Sequence, residues 1–223
     1  VIVREHLEAE LKAGKKLRVK LGFDPTSPDL HLGHTISLRK LKQFQDFGHQ
    51  IVLIIGDATA LIGDPSGKSK TRPTLSTEEV EVNAKTYLAQ VGKILDVSKI
   101  EIHKNSEWFM ADPMWAVKLA SKFTTQRMIE RDDFAKRLKA GVEVYVHELL
   151  YPMMQAYDSV KINADIEIGG TDQKFNLLAG RDLQRHMGLK EQDVITLPLL
   201  RGLDGFHKMS KSLDNYIGIT EEA

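Results

Sequence analysis

The stretch Gly22–His34, GFDPTSPDLHLGH, decides how the chain folds. The hydrophobic run that ends at Gly22 and Phe23 predicts a β-strand, residues 24–28 (DPTSP) predict a turn, and residues 31–34 (HLGH) predict the first turn of a helix. The first backbone N–H groups of a helix have no partner inside it and carry the positive end of its dipole. The stretch therefore predicts a strand–turn–helix crevice suited to a phosphate group.

Two imidazoles and a glycine stand at this predicted helix start. His31 and His34 are three residues apart, so they project to one side of the helix, and each can donate a hydrogen bond to an anion. Gly33 leaves room for a flat ring against the backbone. Taken alone, the tetrapeptide also fits two surface histidines or half of a metal site.

The residues that follow predict a parallel sheet covered by helices. Apolar residues at near-helical spacing predict a helix that ends at Gly48: Leu38, Leu41, Phe44 and Phe47. The unbroken apolar run 50–56 (QIVLIIG) is typical of a strand buried on both faces. Strand, helix and strand in this order form a right-handed crossover. The pattern predicts an α/β fold with a Rossmann-like, doubly wound parallel sheet, whose ligands bind beyond the carboxyl ends of the strands.

Further segments extend this architecture. The glycine-rich connection 56–68 lies at the predicted ligand edge, and connections of this length in compact domains are more often functional than idle. Ser76 and Glu79 form a capping box that opens another helix, and residues 100–104 (IEIHK) predict a short strand. The segment from about 108 to 146 has the pattern of helices interrupted by turns. We interpret it as a helical insertion between the two halves of the fold.

Residues 147–158 (HELLYPMMQAYD) predict the most informative helix. Tyr151, Gln155 and Asp158 fall at positions i, i+4 and i+7 and therefore share one side, backed by apolar residues on another. A polar stripe of this kind is commonly a solvent-facing surface. The tyrosine in line with the other two, and the absence of lysine and arginine, favour a pocket wall.

A second candidate binding element follows a predicted strand that begins at residue 164. The strand pattern breaks into residues 169–173 (GGTDQ), where two glycines let a sugar or a ring approach the backbone. Asp172 in this turn can accept hydrogen bonds from ribose hydroxyls. The alternative is that Thr171 or Asp172 caps the next helix, and both roles can coexist.

The composition excludes several classes of protein. Basic and acidic residues number 31 each, so any RNA contact has to be local, as at residues 68–72 (KSKTR) and 208–211. The chain has no cysteine, which excludes disulfides and thiolate chemistry. No apolar run approaches the roughly 18 residues of a membrane span, and no secretory leader is recognisable. The chain starts at Val1 and stops at Ala223, so we expect a fragment of a longer protein.

A second motif stands near the end of the chain. Residues 208–212 (KMSKS) follow the glycine-punctuated 201–205 (RGLDG), and such a Lys/Ser pentapeptide alone is usually a solvated loop. Together with the HLGH motif at 31–34, it closely resembles the paired signatures of the class I aminoacyl-tRNA synthetases. From residue 18 to residue 212 the sequence resembles the catalytic domain of the bacterial tyrosyl-tRNA synthetases.

This resemblance implies a set of site residues. The implied catalytic residues, acting on the ATP phosphates and the leaving pyrophosphate, are His31, His34, Lys208 and Lys211. The residues implied to bind tyrosine are Asp64, Tyr151, Gln155, Asp158 and Gln173. The residues implied to bind ATP are Gly22, Asp24, Thr26, Gly33, Gly170, Asp172, Met209 and Ser212. The basic loop near the phosphates and the tRNA end is implied to contribute Lys68 and Arg72.

One position departs from the family pattern. The resemblance implies that Asp64 binds the amino group of tyrosine and that Asp158 reads its phenol hydroxyl. Where many members have a tyrosine that joins this aspartate on the phenol, the present chain has Lys20. The second phenol contact from this strand is therefore left open, and replacing Lys20 should have a small effect if its side chain points to solvent.

The implied activity is the ATP-dependent activation of L-tyrosine to tyrosyl-adenylate and transfer to the 3′ end of tRNA(Tyr), in the cytoplasm. Mg²⁺ would accompany the ATP, with no metal site on the chain itself. One alternative is another class I-like nucleotidyltransferase, which would not need the polar stripe or the KMSKS motif. Another is a tryptophanyl-tRNA synthetase, disfavoured because indole has no hydroxyl for Asp158. A non-enzymatic synthetase-like module would show decayed ATP-site residues, and here they are intact.

Assembly and domain content are also implied. The segment 108–141 carries apolar residues among charges, Trp115, Phe123, Met128 and Phe134, from which we expect a homodimer. In the family, anticodon-binding domains follow the KMSKS loop, which spans residues 201–214 here. We therefore expect residues 1–223 to form a catalytic domain without its anticodon-binding domain, able to activate tyrosine but weak in charging tRNA.

Overall fold

The structure, a computed structural model, describes residues 1–66 and 75–221 as one α/β arrangement. The strands are β1 (Arg18–Phe23), β2 (Gln50–Ile55), β3 (Ile100–Lys104), β4 (Ile166–Gly170) and β5 (Asp193–Leu197). The helices are α1 (Arg4–Lys12), α2 (Leu32–Asp46), α3 (Asp57–Ala60), α4 (Thr77–Val91), α5 (Ser106–Phe109), α6 (Trp115–Ala120), α7 (Thr125–Ile129), α8 (Asp132–Lys139), α9 (Val146–Lys161) and α10 (Lys174–His186).

The five strands form a parallel sheet in the order β3-β2-β1-β4-β5. The chain progresses outward from β1 to β3 and then returns to the other side of β1 with β4. This reversal opens a crevice between the carboxyl ends of β1 and β4, where ligands of doubly wound sheets bind. The predicted fold class, a Rossmann-like doubly wound parallel sheet, is confirmed.

The sheet is buried on both faces, as its apolar strands require. Apolar residues of β1, β2 and β4 pack on one face with Leu38 and Leu41 of α2 and with Tyr87 of α4. On the other face, apolar residues of β2 pack with Met153 and Met154 of α9 and with residues of the short helices before it.

One residue of the predicted apolar side of α2 is not on the buried side of the helix in the structure. Leu38 and Leu41 are buried and Phe44 is partly buried, but Phe47 is 83% exposed. The spacing of three residues explains the difference, because an α-helix has 3.6 residues per turn. Each step of three falls short of a full turn, so Phe47 stands about half a turn away from Leu38.

The segment between β3 and α9 contains the four short helices α5 to α8. The residues expected to form an exposed apolar surface do not do so. Met128 and Phe134 are buried, and Trp115 and Phe123 are partly buried against the core. The short helices turn these side chains inward and leave other apolar residues outside. Large apolar residues exposed on and beside these helices are Met110, Met114, Val117, Ile129, Leu138, Val142, Tyr145 and Val146.

The helices are those of a globular α/β layer arrangement. Within residues 1–66 and 75–221, none of them combines the length and the apolar character needed to traverse a bilayer.

Candidate active site

A cleft of about 900 Å³ opens at the carboxyl ends of β1, β2 and β4. It is lined by every described residue that the sequence predicted for the catalytic, tyrosine and ATP groups, from Gly22 in β1 to Ser212 after the KMSKS motif. Lys68 and Arg72, predicted to contact phosphate or tRNA, lie outside the described residues. The fold thus brings together residues that are up to 190 positions apart in sequence.

The two histidines at the start of α2 are held by backbone N–H groups. The Nδ1 atom of His31, the N-cap residue, accepts from Gly33 N at 3.1 Å, and Nδ1 of His34 accepts from His31 N at 3.2 Å. With both Nδ1 atoms as acceptors, the proton of each neutral ring lies on Nε2. A Cβ on residue 33 would stand 2.8 Å from the His31 ring, so glycine is needed here to accommodate that ring.

Both histidines are neutral near pH 7. Burial lowers the pKa of His31 to about 4, and the positive charges of Lys211 and Lys208 act in the same direction. Burial lowers the pKa of His34 to about 3, with a further contribution from His31. These rings therefore offer Nε2–H donors, not positive charges, to a ligand at the helix N-terminus.

The two predicted catalytic lysines have protein partners in this structure. Lys208 Nζ lies 2.7 Å from Asp172 Oδ2, and Lys211 Nζ donates to Ser27 Oγ at 3.0 Å and to the Asp29 carbonyl. Burial lowers the pKa of Lys211. The KMSKS loop therefore contacts both the turn that follows β1 and the turn that follows β4.

Asp24 connects the predicted ATP residues with the predicted tyrosine residues. Its Oδ2 accepts from the Tyr151 hydroxyl at 2.7 Å and its Oδ1 accepts from Thr59 Oγ1 at 2.8 Å. Burial, reinforced by the charges of Asp24 and Asp64, raises the pKa of Tyr151 well above its ordinary value, so this hydroxyl stays protonated. Thr59 was not predicted, because the sequence around it showed only a glycine-rich connection.

Asp64 and two glutamines form a second polar corner of the cleft. Gln173 Nε2 donates to Asp64 Oδ2 at 2.7 Å. The Nδ2 atom of Asn176 donates to Gln173 Oε1 and to Gln155 Oε1, each at 3.0 Å. The Asp64 carboxylate is suited to a cation such as an α-ammonium group. Asn176 was missed, since one asparagine in the first turn of a predicted helix carries no distinctive signal.

Asp158 is buried at the wall of the cleft and held by two donors. Trp108 Nε1 donates to Oδ1 at 2.9 Å, and Asn105 Nδ2 lies 3.4 Å from Oδ2. Burial raises the pKa of Asp158 to about 7, although the charge of Lys20 and these two hydrogen bonds oppose the shift. Asn105 directly follows β3 at the ligand edge of the sheet, which was a signal for a site residue. Trp108, within the helical stretch, gave none.

Lys20 does not point to solvent, so the condition for a small effect of replacing it is not met. Its side chain is fully buried, and Nζ contacts Gln155 O at 2.8 Å, Ser159 Oγ at 2.8 Å and Glu167 Oε1 at 2.9 Å. The reason is topological: β1 is the central strand and helices cover both faces of the sheet, so no side chain in its middle reaches water. A lysine there needs buried partners.

Potential metal ligands are dispersed over the described part of the chain. Among residues 1–66 and 75–221, no group of three or more histidine, cysteine, aspartate or glutamate side chains is placed to hold a metal ion.

Comparisons with known proteins agree with this geometry. Residues 12–223 match the model of a family described as tRNA synthetases class I (W and Y). The tyrosine–tRNA ligase of Dehalococcoides mccartyi is 60% identical over 223 residues, which cover 100% of this chain and 56% of that protein. The corresponding ligase of Aquifex aeolicus is 57% identical, with coverage of 100% and 57%.

A solved structure shows the same likeness in three dimensions. The tyrosyl-tRNA synthetase of Archaeoglobus fulgidus, crystallised in complex with L-tyrosine, superposes with a TM-score of 0.82 at 28% identity. The match covers 100% of this chain and 66% of that one. The chain spans somewhat more than half the length of the curated relatives it matches.

Proposed function

Because the chain belongs to the class I tRNA synthetases of the tryptophan and tyrosine group, we propose that it activates L-tyrosine with ATP to tyrosyl-adenylate and transfers the tyrosyl group to the 3′ end of tRNA(Tyr). The observation that carries the choice of tyrosine is the buried Asp158 carboxylate, oriented by Trp108 and Asn105 in a cleft that also holds the Asp64 corner. The carboxylate suits a phenol hydroxyl, and Asp64 suits an ammonium group.

The proposed first step needs no protein nucleophile. A carboxylate oxygen of tyrosine attacks the α-phosphorus of ATP, the new O–P bond forms, and the bond to the β-phosphate oxygen breaks with its electron pair leaving on pyrophosphate. The protein has to align two anions and to stabilise charge on the leaving group. In the second step a terminal ribose hydroxyl of tRNA attacks the tyrosyl carbonyl, and AMP leaves.

Roles for the cleft residues follow from their atoms. The Nε2–H groups of His31 and His34 donate to ATP phosphate oxygens at the N-terminus of α2. Lys208 and Lys211 leave Asp172, Ser27 and Asp29 to contact pyrophosphate. We further assign to adenosine and its phosphates the contacts of Gly22, Asp24, Thr26, Gly33, Gly170, Asp172, Met209 and Ser212, and to tyrosine those of Asp64, Tyr151, Gln155, Asp158 and Gln173.

Mg²⁺ is proposed as a companion of the ATP phosphates, since this ion is usually bound together with substrate phosphates. Lys68 and Arg72 are proposed to contact phosphate or the tRNA end, from outside the described residues. The cytoplasm, where tRNA is charged, is the proposed location.

The proposal is tested by ATP–pyrophosphate exchange with each of the twenty amino acids. We expect exchange with L-tyrosine alone, because the other amino acids have no phenol hydroxyl to pair with the buried Asp158 carboxylate. Tryptophan is the informative comparison, since its indole N–H can also donate to a carboxylate. Exchange that is faster with tryptophan than with tyrosine would overturn the proposed substrate, and exchange with no amino acid would overturn the proposed reaction.

We also propose that the chain forms a twofold-symmetric homodimer through the helices between β3 and α9. The argument rests on exposed apolar residues that differ from the predicted ones, above all Met114 and Val117 near α6 and Val146 at the start of α9, which are 52%, 61% and 77% exposed. Exposed apolar side chains in one segment mark interaction surfaces, and cyclic dimers are the commonest assembly.

Light scattering at micromolar concentration tests this assembly. We expect twice the 25.1 kDa mass of one chain, and a shift to the single-chain mass in the double variant Val117→Glu/Val146→Glu, because charges would be buried in the interface. Phe47→Glu, at an 83% exposed position just after α2, is the control and should remain dimeric. A wild-type chain that scatters as a monomer contradicts the proposal.

A further inference from the structure

Two opposite charges are buried on neighbouring strands beneath the cleft. Lys20 of β1 and Glu167 of β4 are register partners, are 0% and 1% exposed, and approach to 2.9 Å between Nζ and Oε1. Removing two charges from water is costly, and apolar residues of similar volume often give equal or greater stability at such places. Stability alone therefore does not account for this pair, and its other hydrogen bonds indicate what it does.

All hydrogen-bonding atoms of the pair are occupied. Lys20 Nζ donates to Gln155 O, to Ser159 Oγ and to the carboxylate. Glu167 Oε1 accepts from Gln155 Nε2 at 3.1 Å, while Oε2 accepts from Ser159 Oγ at 3.1 Å and from Gln192 Nε2 at 2.5 Å. The pair thus forms hydrogen bonds with both the backbone and the side chain of Gln155, which lines the cleft.

The carboxylate fixes which end of the Gln155 amide faces which neighbour. An ionised carboxylate only accepts hydrogen bonds, so Nε2 of Gln155 has to point at Glu167. Oε1 then lies on the other side, where it accepts from Asn176 Nδ2. Opposite a neutral amide or hydroxyl, the glutamine amide could turn either way, because such groups both donate and accept.

The second glutamine of the corner, Gln173, is also oriented by a carboxylate. Gln173 Nε2 points at the Asp64 carboxylate and its Oε1 accepts from the same Asn176 Nδ2. Both amide oxygens therefore converge on Asn176, and both amide nitrogens face carboxylates. Each amide oxygen has a second lone pair, with which it can accept from a positively charged group that enters the corner.

We propose that the Lys20–Glu167 pair is a positioning device that sets the amide of Gln155 with its oxygen as the acceptor for the α-ammonium group of the amino acid substrate. Glu167 sets the orientation, and Lys20 neutralises Glu167 and anchors α9 through Gln155 O and Ser159 Oγ. Neither residue touches substrate. The inference rests on the proposed function, since it takes an amino acid as the ligand of the cleft.

The test compares L-tyrosine with its analogue that lacks the ammonium group, 3-(4-hydroxyphenyl)propionate. In Lys20→Met/Glu167→Gln, the side chain at 167 can donate and no ammonium group holds its oxygen toward Gln155, so the Gln155 amide loses its fixed orientation. We expect the KM and the Kd for L-tyrosine to rise about tenfold to a hundredfold, the range for losing an acceptor to a charged group. The kcat of exchange and the affinity for the analogue, measured by competition, should change less than about threefold.

Two further variants separate positioning from folding. Glu167→Gln leaves Lys20 buried and unpaired, so it should lower the unfolding temperature, whereas Lys20→Met/Glu167→Gln removes both charges and should recover much of that loss. The double variant should nevertheless keep the raised KM for L-tyrosine. Glu148→Gln, in the buried Arg137–Glu148 pair outside the cleft, is the matched control and should lose stability without a change in this KM.

Equal weakening of L-tyrosine and the analogue would overturn the inference, since it would indicate a general loss of pocket shape. Unchanged affinity for both ligands in the double variant would overturn it as well. These outcomes are distinct from a failure of the proposed function. Equilibrium dialysis of the two ligands measures the ammonium contribution even if the wild-type chain supports no pyrophosphate exchange.

Discussion

Asp158→Ala should abolish most of the preference for tyrosine over phenylalanine in amino acid activation. In the wild-type chain, phenylalanine would leave the buried carboxylate of Asp158 without the hydroxyl that should pair with it, and an unpaired buried polar group is costly. Sites built to bond a substrate hydroxyl reject the analogue without it by about 10⁴- to 10⁵-fold, and tyrosyl enzymes themselves are the reference case from which this magnitude is taken.

The measurement is the ratio of kcat/KM for the two amino acids in pyrophosphate exchange. The ratio should fall by several orders of magnitude in Asp158→Ala, mainly through poorer use of tyrosine. Asp182→Ala removes a carboxylate of α10 that pairs with Arg127 and Arg185 and does not line the cleft. It is the matched control and should keep the wild-type ratio. An Asp158→Ala chain that still discriminates like the wild type would show that another group reads the phenol.

The same carboxylate gives the preference a pH dependence with a definite sign. Because burial raises the pKa of Asp158 to about 7, the group is protonated below that pH and ionised above it. An ionised carboxylate accepts a hydrogen bond more strongly than a carboxylic acid. The tyrosine-to-phenylalanine ratio of the free enzyme, measured as kcat/KM, should therefore rise between about pH 6 and pH 8, and this rise should be absent in Asp158→Ala.

Periodicity predicted the wall of the cleft but not what supports it. Tyr151, Gln155 and Asp158 share one side of a helix by their spacing alone, and all three line the cleft. The donors that orient Asp158 were not predicted, because Asn105 and Trp108 precede it by about fifty residues and meet it only through the sheet order. Contacts of this kind depend on topology, which local spacing does not encode.

The incorrect expectations have a common physical origin. A solvent-facing Lys20 was the condition for a small effect of replacing it, but this lysine stands in the middle of the central strand and is fully buried. Met128 and Phe134 were expected on the surface because charged residues lie near them in sequence, yet both side chains are buried. In each case the sequence shows the composition of the neighbourhood and not the direction of the side chain. Direction depends on tertiary packing.

His34→Ala should lower the rate of tyrosine activation about 10²- to 10³-fold, the usual effect of removing one preorganised donor to developing charge. His34 sits in the first turn of α2, its Nδ1 accepts from the His31 backbone N–H, and its Nε2–H is left for a phosphate oxygen. If this contact strengthens in the transition state, kcat should fall and the KM for tyrosine should change little. Stopped-flow or exchange kinetics at saturating ATP and tyrosine measure both quantities.

His34→Gln distinguishes a neutral donor from a positive charge. Burial lowers the pKa of His34 to about 3, so the ring is neutral throughout the pH range of the assay and acts by its N–H alone. Glutamine also offers a neutral N–H donor, and we therefore expect His34→Gln to retain more activity than His34→Ala near neutral pH. Two results together would indicate a charged imidazolium. The glutamine variant would be as slow as the alanine variant, and the wild-type rate would fall as the pH rises through the ordinary pKa of histidine, about 6.5. That outcome would contradict the role that burial of this ring implies.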